Sequence, residues 1–393
     1  MADIELSDIM EAYFSCRKNK RRSPSAIAFE VNYERNCLEL WESISNRTYI
    51  PYPSIALVIN KPVKREIFAA PFRDRIVHHY IALRLIPLFE EEFIDETTNC
   101  RKGKGTGYGI SLLRESIKKI SGNYTSDCWI MKLDIKSFFM CINKTLLWEK
   151  LERFIRKRYK GNDLDNLLYL TDVTLKNDPT QECFYRSPLS AWKDIPPHKS
   201  LFGQKKGFGM APGNLTSQIE ANFYLNDFDH WMKSQPIEYG RYVDDFYMVS
   251  KNKQSLINML PLIRNKLAEI GLTLHPNKIF LQHYSKGVKY IGSVLKINRA
   301  YISNRTVGNF FSTIHRFNQL AEKDGYIECN ATRFASSINS YLGFCKQYMT
   351  YHIRRKAIRR IDQKWWKVFY VSGHFEKIVI KKKYKCPSIS RHI

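Results

Sequence analysis

The chain has 393 residues, of which 44% are hydrophobic and 13% aromatic, so it can form a substantial core and is not a disordered or low-complexity protein. Lys and Arg number 63 against 38 Asp and Glu; the resulting net charge of +25 predicts a polyanionic partner, with nucleic acid the leading candidate. A basic membrane-surface protein is the competing interpretation, but the chain has no apolar run of about 18 residues and no signal-type segment after Met1, so we expect no membrane partner.

The cysteine pattern indicates a reducing compartment. Nine cysteines are scattered along the chain, their number is odd, and none forms a C-x-x-C pair. This pattern favours free thiols over a disulfide scaffold or a zinc ribbon. We therefore expect a cytoplasmic protein.

The first third of the chain predicts helix, hairpin and helix in turn. Apolar residues share one helical face near the N-terminus, which is followed by the basic cluster Arg17–Arg22. Residues 50–67 alternate β-formers and prolines around a basic turn, which predicts a hairpin. The apolar run Phe72–Phe89 predicts a mostly buried helix.

Two segments are irregular. Residues 101–109 read R-K-G-K-G-T-G-Y-G, which matches neither a P-loop nor a dinucleotide-binding turn. This segment is either a flexible basic loop that approaches a sugar-phosphate backbone or a solvent-exposed linker. Residues 178–207 are rich in proline and aromatic residues and are interpreted as an insertion loop with basic tips.

Beyond Ala300 the chain is helical and strongly basic. Cations alternate there with aromatic residues, as in the segment Tyr351–Tyr370. This alternation suits a helical bundle that grips a nucleic-acid duplex, although a solvated basic face is the simpler alternative.

Acidic residues end two predicted strands. Asp244 and Asp245 lie within R-Y-V-D-D-F-Y-M-V-S, and Asp134 ends the apolar strand that begins at Trp129. A pair of aspartates between two strands can be an ordinary turn, and a lone aspartate can be a helix cap. Two acidic strand ends in one basic protein instead predict a two-metal site for phosphoryl transfer.

In that site, Asp134 and Asp244 would bridge two Mg²⁺ ions, and the Ile135 carbonyl would complete one coordination sphere. Asp245 points to the other side of the pleat and is expected farther from the metals. One ion would activate a primer 3′-hydroxyl and the other would bind a nucleoside triphosphate. The predicted reaction is nucleotidyl transfer, and we expect Mn²⁺ to be able to replace Mg²⁺.

Seven motifs in one order resemble the motif series of reverse transcriptases and span about residues 47–295. In chain order they are Lys64-Arg65, F-R-D-R-I-V-H-H, L-D-I-K-S-F-F, G-M-A-P-G-N-L-T-S-Q, Y-V-D-D, the lysine of H-P-N-K, and Y-I-G. The resemblance implies an α+β right-hand polymerase fold and RNA-directed DNA polymerase activity. The expected partners are template RNA, the RNA/cDNA duplex and deoxynucleoside triphosphates.

We predict four parts for such a fold. They are an N-terminal basic helical extension (1–46), fingers (47–125), a palm with an antiparallel sheet backed by helices (126–295), and a basic helical thumb with a C-terminal tail (296–393). The insertion at 178–207 would lie within the palm.

The resemblance assigns roles to individual residues. Asp134, Asp244 and Asp245 become the catalytic carboxylates, and Lys278 the residue that protonates or neutralises the pyrophosphate leaving group. Phe139 matches the steric gate that excludes a 2′-hydroxyl. The other expected nucleotide contacts are Lys64, Arg65, Ile135, Pro212, Gly213 and Gln218. The expected primer or template contacts are Arg73, Arg101, Lys102, Lys104, Tyr290, Ile291 and Gly292.

The segment Gly213–Gln218 resembles one subgroup, the reverse transcriptases of diversity-generating retroelements. It ends in Ser-Gln where most relatives have Ser-Pro, and Pro212 stands where many replicative relatives have glutamine. The resemblance implies cDNA with errors at template adenines, and a small basic accessory protein as partner. A retron, group II intron or phage-defence reverse transcriptase is the alternative, and a non-catalytic RNA-binding scaffold is a further one.

Overall fold

A computed structural model describes residues 4–18, 23–60, 63–297, 299–322 and 326–384. Part of the predicted basic cluster, Lys20–Arg22, lies outside these residues. None of the described helices is both long enough and apolar enough to cross a membrane. The eight cysteines in the described ranges are free thiols.

The described α-helices, in chain order, are α1 (Leu6–Arg17), α2 (Pro24–Glu30), α3 (Tyr33–Ser45), α4 (Phe72–Glu92), α5 (Thr106–Ile120), α6 (Phe138–Cys141), α7 (Lys144–Arg158), α8 (Leu164–Lys176), α9 (Leu215–Tyr224), α10 (Asn226–Lys233), α11 (Lys253–Ala268), α12 (Asn304–Leu320), α13 (Tyr326–Lys346) and α14 (Tyr351–Arg359). The described strands are β1 (Ser54–Ile59), β2 (Arg65–Ala69), β3 (Trp129–Asp134), β4 (Cys183–Tyr185), β5 (Glu238–Tyr242), β6 (Asp245–Ser250), β7 (Phe280–His283), β8 (Val288–Tyr290), β9 (Ser293–Lys296), β10 (Arg299–Ile302), β11 (Phe369–Ser372) and β12 (Lys377–Ile380).

The chain forms two compact units. The first comprises Met1–Gly105 and Met131–Phe280, and the second comprises Thr106–Ile130 and Leu281–Ile393. The predicted division into four parts stays a prediction.

Helix α4 runs through the first unit and confirms the buried helix predicted over Phe72–Phe89. Its apolar residues Ile76, Tyr80 and Leu85 are fully buried, and it packs against α1 and α9. Helix α1 in turn buries Ile9 and Tyr13, as its periodicity predicts. Burial of these faces gives the first unit its helical core.

The predicted hairpin over residues 50–67 is formed by β1 and β2, which pair antiparallel from Ile55↔Ala69 to Ile59↔Arg65. The insertion at 178–207 is more ordered than a loop, because β4 pairs parallel with β1 and short 3₁₀ turns follow. Buried Glu66 of β2 holds this insertion: its carboxylate accepts hydrogen bonds from Trp192 Nε1 and Ser200 Oγ, each at 2.9 Å. The insertion therefore adds one strand, β4, to the hairpin sheet and is fixed to that sheet by Glu66.

A second sheet of the first unit contains the neighbours β5, β6 and β3 in that order. Strands β5 and β6 pair antiparallel from Glu238↔Val249 to Tyr242↔Asp245. Phe246, Met248 and Val249 are fully buried, which anchors β6 in the middle of the core. The three neighbours bring the acidic strand ends to one place.

The second unit has its own core. Strands β8, β9 and β10 form an antiparallel meander, and α12, α13 and α14 pack around Trp365, whose ring stacks on Phe334 with centroids 4.1 Å apart. The prediction of a helical, basic segment beyond Ala300 is right for α12–α14. The antiparallel pair β11–β12 was not predicted, because its short strands carry too few residues to show a periodicity.

Candidate active site

The candidate site is built on the turn between β5 and β6. Tyr242 and Asp245 are the last paired residues, so Val243 and Asp244 alone form the loop. Val243 has a φ of 60°, the left-handed region that β-branched residues rarely adopt, at a typical cost of about 1 to 3 kcal/mol. The predicted hairpin tip is present, and its backbone is strained.

Asp134 lies beside this turn. It ends β3, and the N–H of the next residue, Ile135, donates to the Asp244 carbonyl at 3.0 Å. Ile135 itself is fully buried. One backbone hydrogen bond thus joins the two acidic strand ends that the sequence places 110 residues apart.

Burial and neighbouring charges shift the pKa values of Asp244 and Asp245. Burial, followed by the negative charge of Asp134, raises the pKa of Asp244 to about 6. Burial also raises the pKa of Asp245, which the Lys132 ammonium, 3.4 Å from Oδ1, opposes. Lys278 places Nζ 2.8 Å from Asp134 Oδ2. Such concentrated negative charge favours a bound cation.

The donor set fits a hard divalent ion that also uses other ligands. Among the described residues, no three His, Cys, Asp or Glu side chains form a complete metal-binding group. Mg²⁺ commonly uses only one or two protein carboxylates and takes its remaining oxygens from water and substrate phosphates. Asp134 and Asp244 are suited to be those two carboxylates, and carboxylate oxygens are the donors that Mg²⁺ prefers.

The residues expected to contact the nucleotide base and sugar lie in the first unit, as the three carboxylates do. The Phe139 carbonyl accepts the N–H of Met210 at 2.9 Å, which holds the Met210–Gly213 segment next to the partly buried Phe139. Pro212 follows in this segment. Gly213 has a φ of 116°, and a Cβ added there would lie 3.6 Å from the Ile67 side chain of β2.

A cavity of about 440 Å³ opens beside Gly213. It is lined by Ile67, Ala69, Arg75, His79, Gly213 and Gln218. Gln218 Oε1 also accepts a hydrogen bond from the Cys100 thiol at 3.2 Å. The structure thus brings Gly213 and Gln218 together at one cavity. The apolar spacing of Leu215, Ile219, Phe223 and Phe228 continues through two helices, because α9 ends before Leu225 and α10 starts after it.

The residues expected to contact the triphosphate lie at the β1–β2 hairpin. Arg65 is exposed at the start of β2. Lys64 donates from Nζ to Asp194 Oδ2 of the insertion at 2.8 Å. A triphosphate would have to compete with Asp194 for this lysine.

Some of the residues expected to contact primer or template already bond to other residues of the protein, whereas others are exposed. Arg73 donates to the Ile50 carbonyl and lies over the Tyr52 ring, 4.3 Å from its centroid. Arg101 is buried and pairs with Glu90 at 2.8 Å, so its guanidinium serves packing within the protein.

Lys102 in the same segment is exposed, whereas Lys104 pairs with Asp95 at 2.7 Å. Helix α5 starts at Thr106, so the predicted irregular segment is shorter than residues 101–109.

In the second unit, Tyr290 is buried in β8, and Ile291 and Gly292 form a two-residue turn with φ of 42° and 77°. The turn joins the antiparallel strands β8 and β9 in a tight hairpin.

Sequence reasoning missed the buried polar groups that support the β5–β6 turn. Arg241 and Asp229 form an ion pair whose side chains are completely buried. Asn99 donates from Nδ2 to Asn222 Oδ1 at 2.8 Å. An arginine inside a run of strand residues is the one local signal, because a buried arginine requires an acidic partner.

The protein has an α+β fold in which acidic strand ends lie next to each other. This arrangement is typical of enzymes that bind divalent cations. The family model "Reverse transcriptase (RNA-dependent DNA polymerase)" matches residues 59–295. The chain therefore belongs to the reverse transcriptase family, a family of nucleotidyltransferases, and the predicted right-hand polymerase fold class is confirmed.

A search of curated proteins gave no significant match. Among solved structures, the chain is similar to apo telomerase from Candida tropicalis truncated from its C-terminal domain, with 12% sequence identity and a TM-score of 0.44. The alignment covers 64% of this chain and 55% of the telomerase chain, so the chain spans about half the length of that structure.

Proposed function

We propose that this protein is an RNA-directed DNA polymerase that extends a primer by two-metal nucleotidyl transfer. The observation that carries the proposal is the hydrogen bond from Ile135 N–H to the Asp244 carbonyl, which sets Asp134 and Asp244 side by side. The family membership of residues 59–295 supports the same reaction. Asp134, Asp244 and Asp245 are the proposed catalytic residues.

When bound, two Mg²⁺ ions supply charge neutralisation at the attacking and leaving oxygens. The chain's own residues hold and select the substrates. Asp134 and Asp244 hold the ions, and Phe139 blocks a 2′-hydroxyl beneath the sugar by its bulk. Lys64 and Arg65 bind the triphosphate, and the Lys278 ammonium is available to give its proton to the departing pyrophosphate.

Primer extension on an RNA template tests this proposal. Asp244→Asn preserves the shape of the side chain and removes its charge, so we expect extension to fall at least about 10³-fold, a typical loss for an essential electrostatic group. Asp227→Asn is the matched control, because Asp227 is an exposed aspartate that pairs with Lys150. Extension by Asp244→Asn at the rate of the unsubstituted protein would contradict the proposal.

We further propose that the enzyme belongs to a diversity-generating retroelement and makes cDNA with errors at template adenines. Support comes from the Gly213–Gln218 segment and from Pro212, which offers neither a side-chain donor nor a backbone N–H to the nascent base pair. The proposed substrates are a template-repeat RNA and deoxynucleoside triphosphates, with Mg²⁺ or Mn²⁺ as cofactor.

A small basic oligomeric accessory protein is the proposed partner. Its docking through RNA is favoured over docking on the acidic segment Glu90–Asp95. In that segment Glu90 pairs with Arg101, Glu91 with Arg158 and Asp95 with Lys104, so three of its four carboxylates already have a basic partner.

Sequencing of the cDNA made on a defined RNA tests the subclass. The unsubstituted enzyme is expected to misincorporate mostly opposite adenines, and Pro212→Gln to lower that frequency at least about threefold by restoring a hydrogen-bonding side chain. Pro212→Ala is the control, since it restores the backbone N–H alone. If misincorporation opposite template adenines were no more frequent than misincorporation opposite the other template bases, the mutagenic function would be contradicted.

A further inference from the structure

The strained residue of the β5–β6 turn is held by two buried side chains. The Val243 N–H donates to Asn99 Oδ1 at 2.8 Å, and the Val243 carbonyl accepts from Arg241 Nη1 at 2.9 Å. Asn99 is 3% exposed and Arg241 is fully buried. Both polar groups of the left-handed residue are therefore bound from the protein side.

These two side chains are themselves fixed. Asn99 and Asn222 form a reciprocal pair, in which Asn99 Nδ2 donates to Asn222 Oδ1 at 2.8 Å and Asn222 Nδ2 donates to the Asn99 carbonyl at 2.9 Å. Arg241 donates from Nε to Asp229 Oδ1 at 2.7 Å. A carboxamide and a guanidinium held in this way have little freedom to follow the turn if it relaxes.

Asp229 closes the network. Its carboxylate also accepts from the Tyr239 hydroxyl at 2.6 Å and from the Thr97 hydroxyl at 2.7 Å. Hydrogen bonds therefore satisfy both of its oxygens, as a buried charge requires. The network joins residues 97–99, α9, α10 and β5, and Asn99 and Arg241 connect it to the turn.

We propose that Asn99 is a positioning residue, which keeps Val243 in the left-handed conformation and thereby directs the Asp244 carboxylate toward Asp134. This inference rests on the proposed catalytic function of Asp244. Without the acceptor at Asn99, Val243 is expected to relax to negative φ, because a β-branched side chain disfavours the left-handed region. Rotation of that residue would turn the Asp244 side chain away from Asp134.

A double-mutant cycle tests the proposal. Asn99→Ala is expected to lower kcat for nucleotide addition about 10²-fold, a typical result of misplacing a reacting group by about 1 Å. Val243→Gly is combined with it, because glycine adopts positive φ without a steric penalty. The double variant is expected to be at least about tenfold faster than Asn99→Ala, a non-additive effect that marks coupled residues.

Thr97→Val is the matched control. It removes a buried hydroxyl of the same network that does not bond to Val243, and it nearly preserves the side-chain volume. If Asn99 served only the stability of the fold, Val243→Gly would act alike in the Asn99→Ala and Thr97→Val proteins. We expect rescue in the first protein and none in the second.

Binding of Mn²⁺, followed by electron paramagnetic resonance, gives a readout apart from turnover. Asn99→Ala is expected to weaken Mn²⁺ binding several-fold and Val243→Gly to restore it, because the carboxylates need a common direction to share an ion. Full activity of Asn99→Ala, or no rescue in either measurement, would overturn the positioning role.

Asp244→Asn is measured alongside. If it extended primers normally, the proposed catalytic function would fail, whereas the coupling between Asn99 and Val243 would still be read from Mn²⁺ binding. The two failures are thus distinguishable.

Discussion

Lys278 is ion-paired with Asp134, with Nζ 2.8 Å from Oδ2, although 144 residues separate them in the chain. About half of the Lys278 side chain is exposed, whereas Asp134 is mostly buried. The lysine can therefore leave the carboxylate when a cation takes its place. This freedom is what a residue needs if it is to reach the pyrophosphate.

Substitution of Lys278 separates its charge from its proton. Lys278→Ala is expected to lower kcat about 10²-fold, as loss of a general acid typically does. Lys278→Arg retains a positive charge next to Asp134 but does not release a proton near neutral pH, so its kcat is expected to fall as well. Single-turnover nucleotide addition at saturating triphosphate gives the rate for both variants. A normal rate for Lys278→Arg would show that the residue acts through its charge alone.

Phe139 is expected to set the sugar preference. Phe139→Ala removes the ring next to the Met210–Gly213 segment, so the kcat/KM for ribonucleotides relative to deoxynucleotides is expected to rise at least about tenfold. Phe139→Tyr retains the bulk and is the control with an unchanged ratio. Single-nucleotide addition with each sugar gives the two values, and an unaltered ratio in the Ala variant would rule out the gate.

The ion pair of Lys64 with Asp194 is expected to raise the KM for triphosphate. Asp194→Asn frees the lysine, so the KM for triphosphate is expected to fall about two- to fivefold. Because an exposed ion pair contributes at most about 1 kcal/mol to stability, Tm should hardly change. Asp227→Asn breaks a surface pair of nearly the same length, 2.7 Å to Lys150, and is the control. Steady-state kinetics at varied triphosphate decide the matter: equal KM values in the two variants would refute it.

Glu220 predicts a pH dependence of stability. Burial raises the pKa of this carboxyl, on α9, to about 8, against an ordinary value of 4.5. Between these two values the folded protein keeps a proton that the unfolded chain has lost, so the free energy of unfolding falls as pH rises and levels off above about pH 8. The total change is about 2 to 5 kcal/mol, from about 1.4 kcal/mol for each unit of pKa.

Glu220→Gln removes this titration, so the difference in Tm between Glu220→Gln and the unsubstituted protein is expected to grow from pH 5.5 to pH 8. Glu152→Gln, a substitution of a more exposed glutamate paired with Arg156, is the control. Thermal unfolding across this range measures the difference. A constant difference would show that Glu220 is ionised in the folded protein at neutral pH.

Local sequence patterns predicted the helices and strands in which apolar residues recur at a regular spacing. Helix α4, strand β3 and the β1–β2 hairpin follow from apolar spacing and turn residues within one short segment. The division between α9 and α10 at Leu225 was not visible, because the apolar spacing continues across it. Strand β4 was missed for another reason: its three residues are ordered by pairing with β1, far away in the chain.

The acidic residues of the site were predictable because charge inside an apolar strand needs a partner. Their supports were not: Asn99 and Asn222 lie 123 residues apart, and an asparagine in a polar segment looks like any other turn residue. The internal hydrogen bonds of Arg73 and Arg101 were not predictable from local sequence either. Each looks like a surface cation in the sequence, yet each donates hydrogen bonds to backbone carbonyls of its own unit.

The bonds from Glu66 to Trp192 and Ser200 fix the insertion to the same strand that begins next to Lys64. We expect a tilt of the β1–β2 hairpin on substrate binding to move the insertion with it. Lys199, whose side chain is exposed, lies in this insertion. A fluorescent dye attached at this position is expected to report movement of the hairpin in real time.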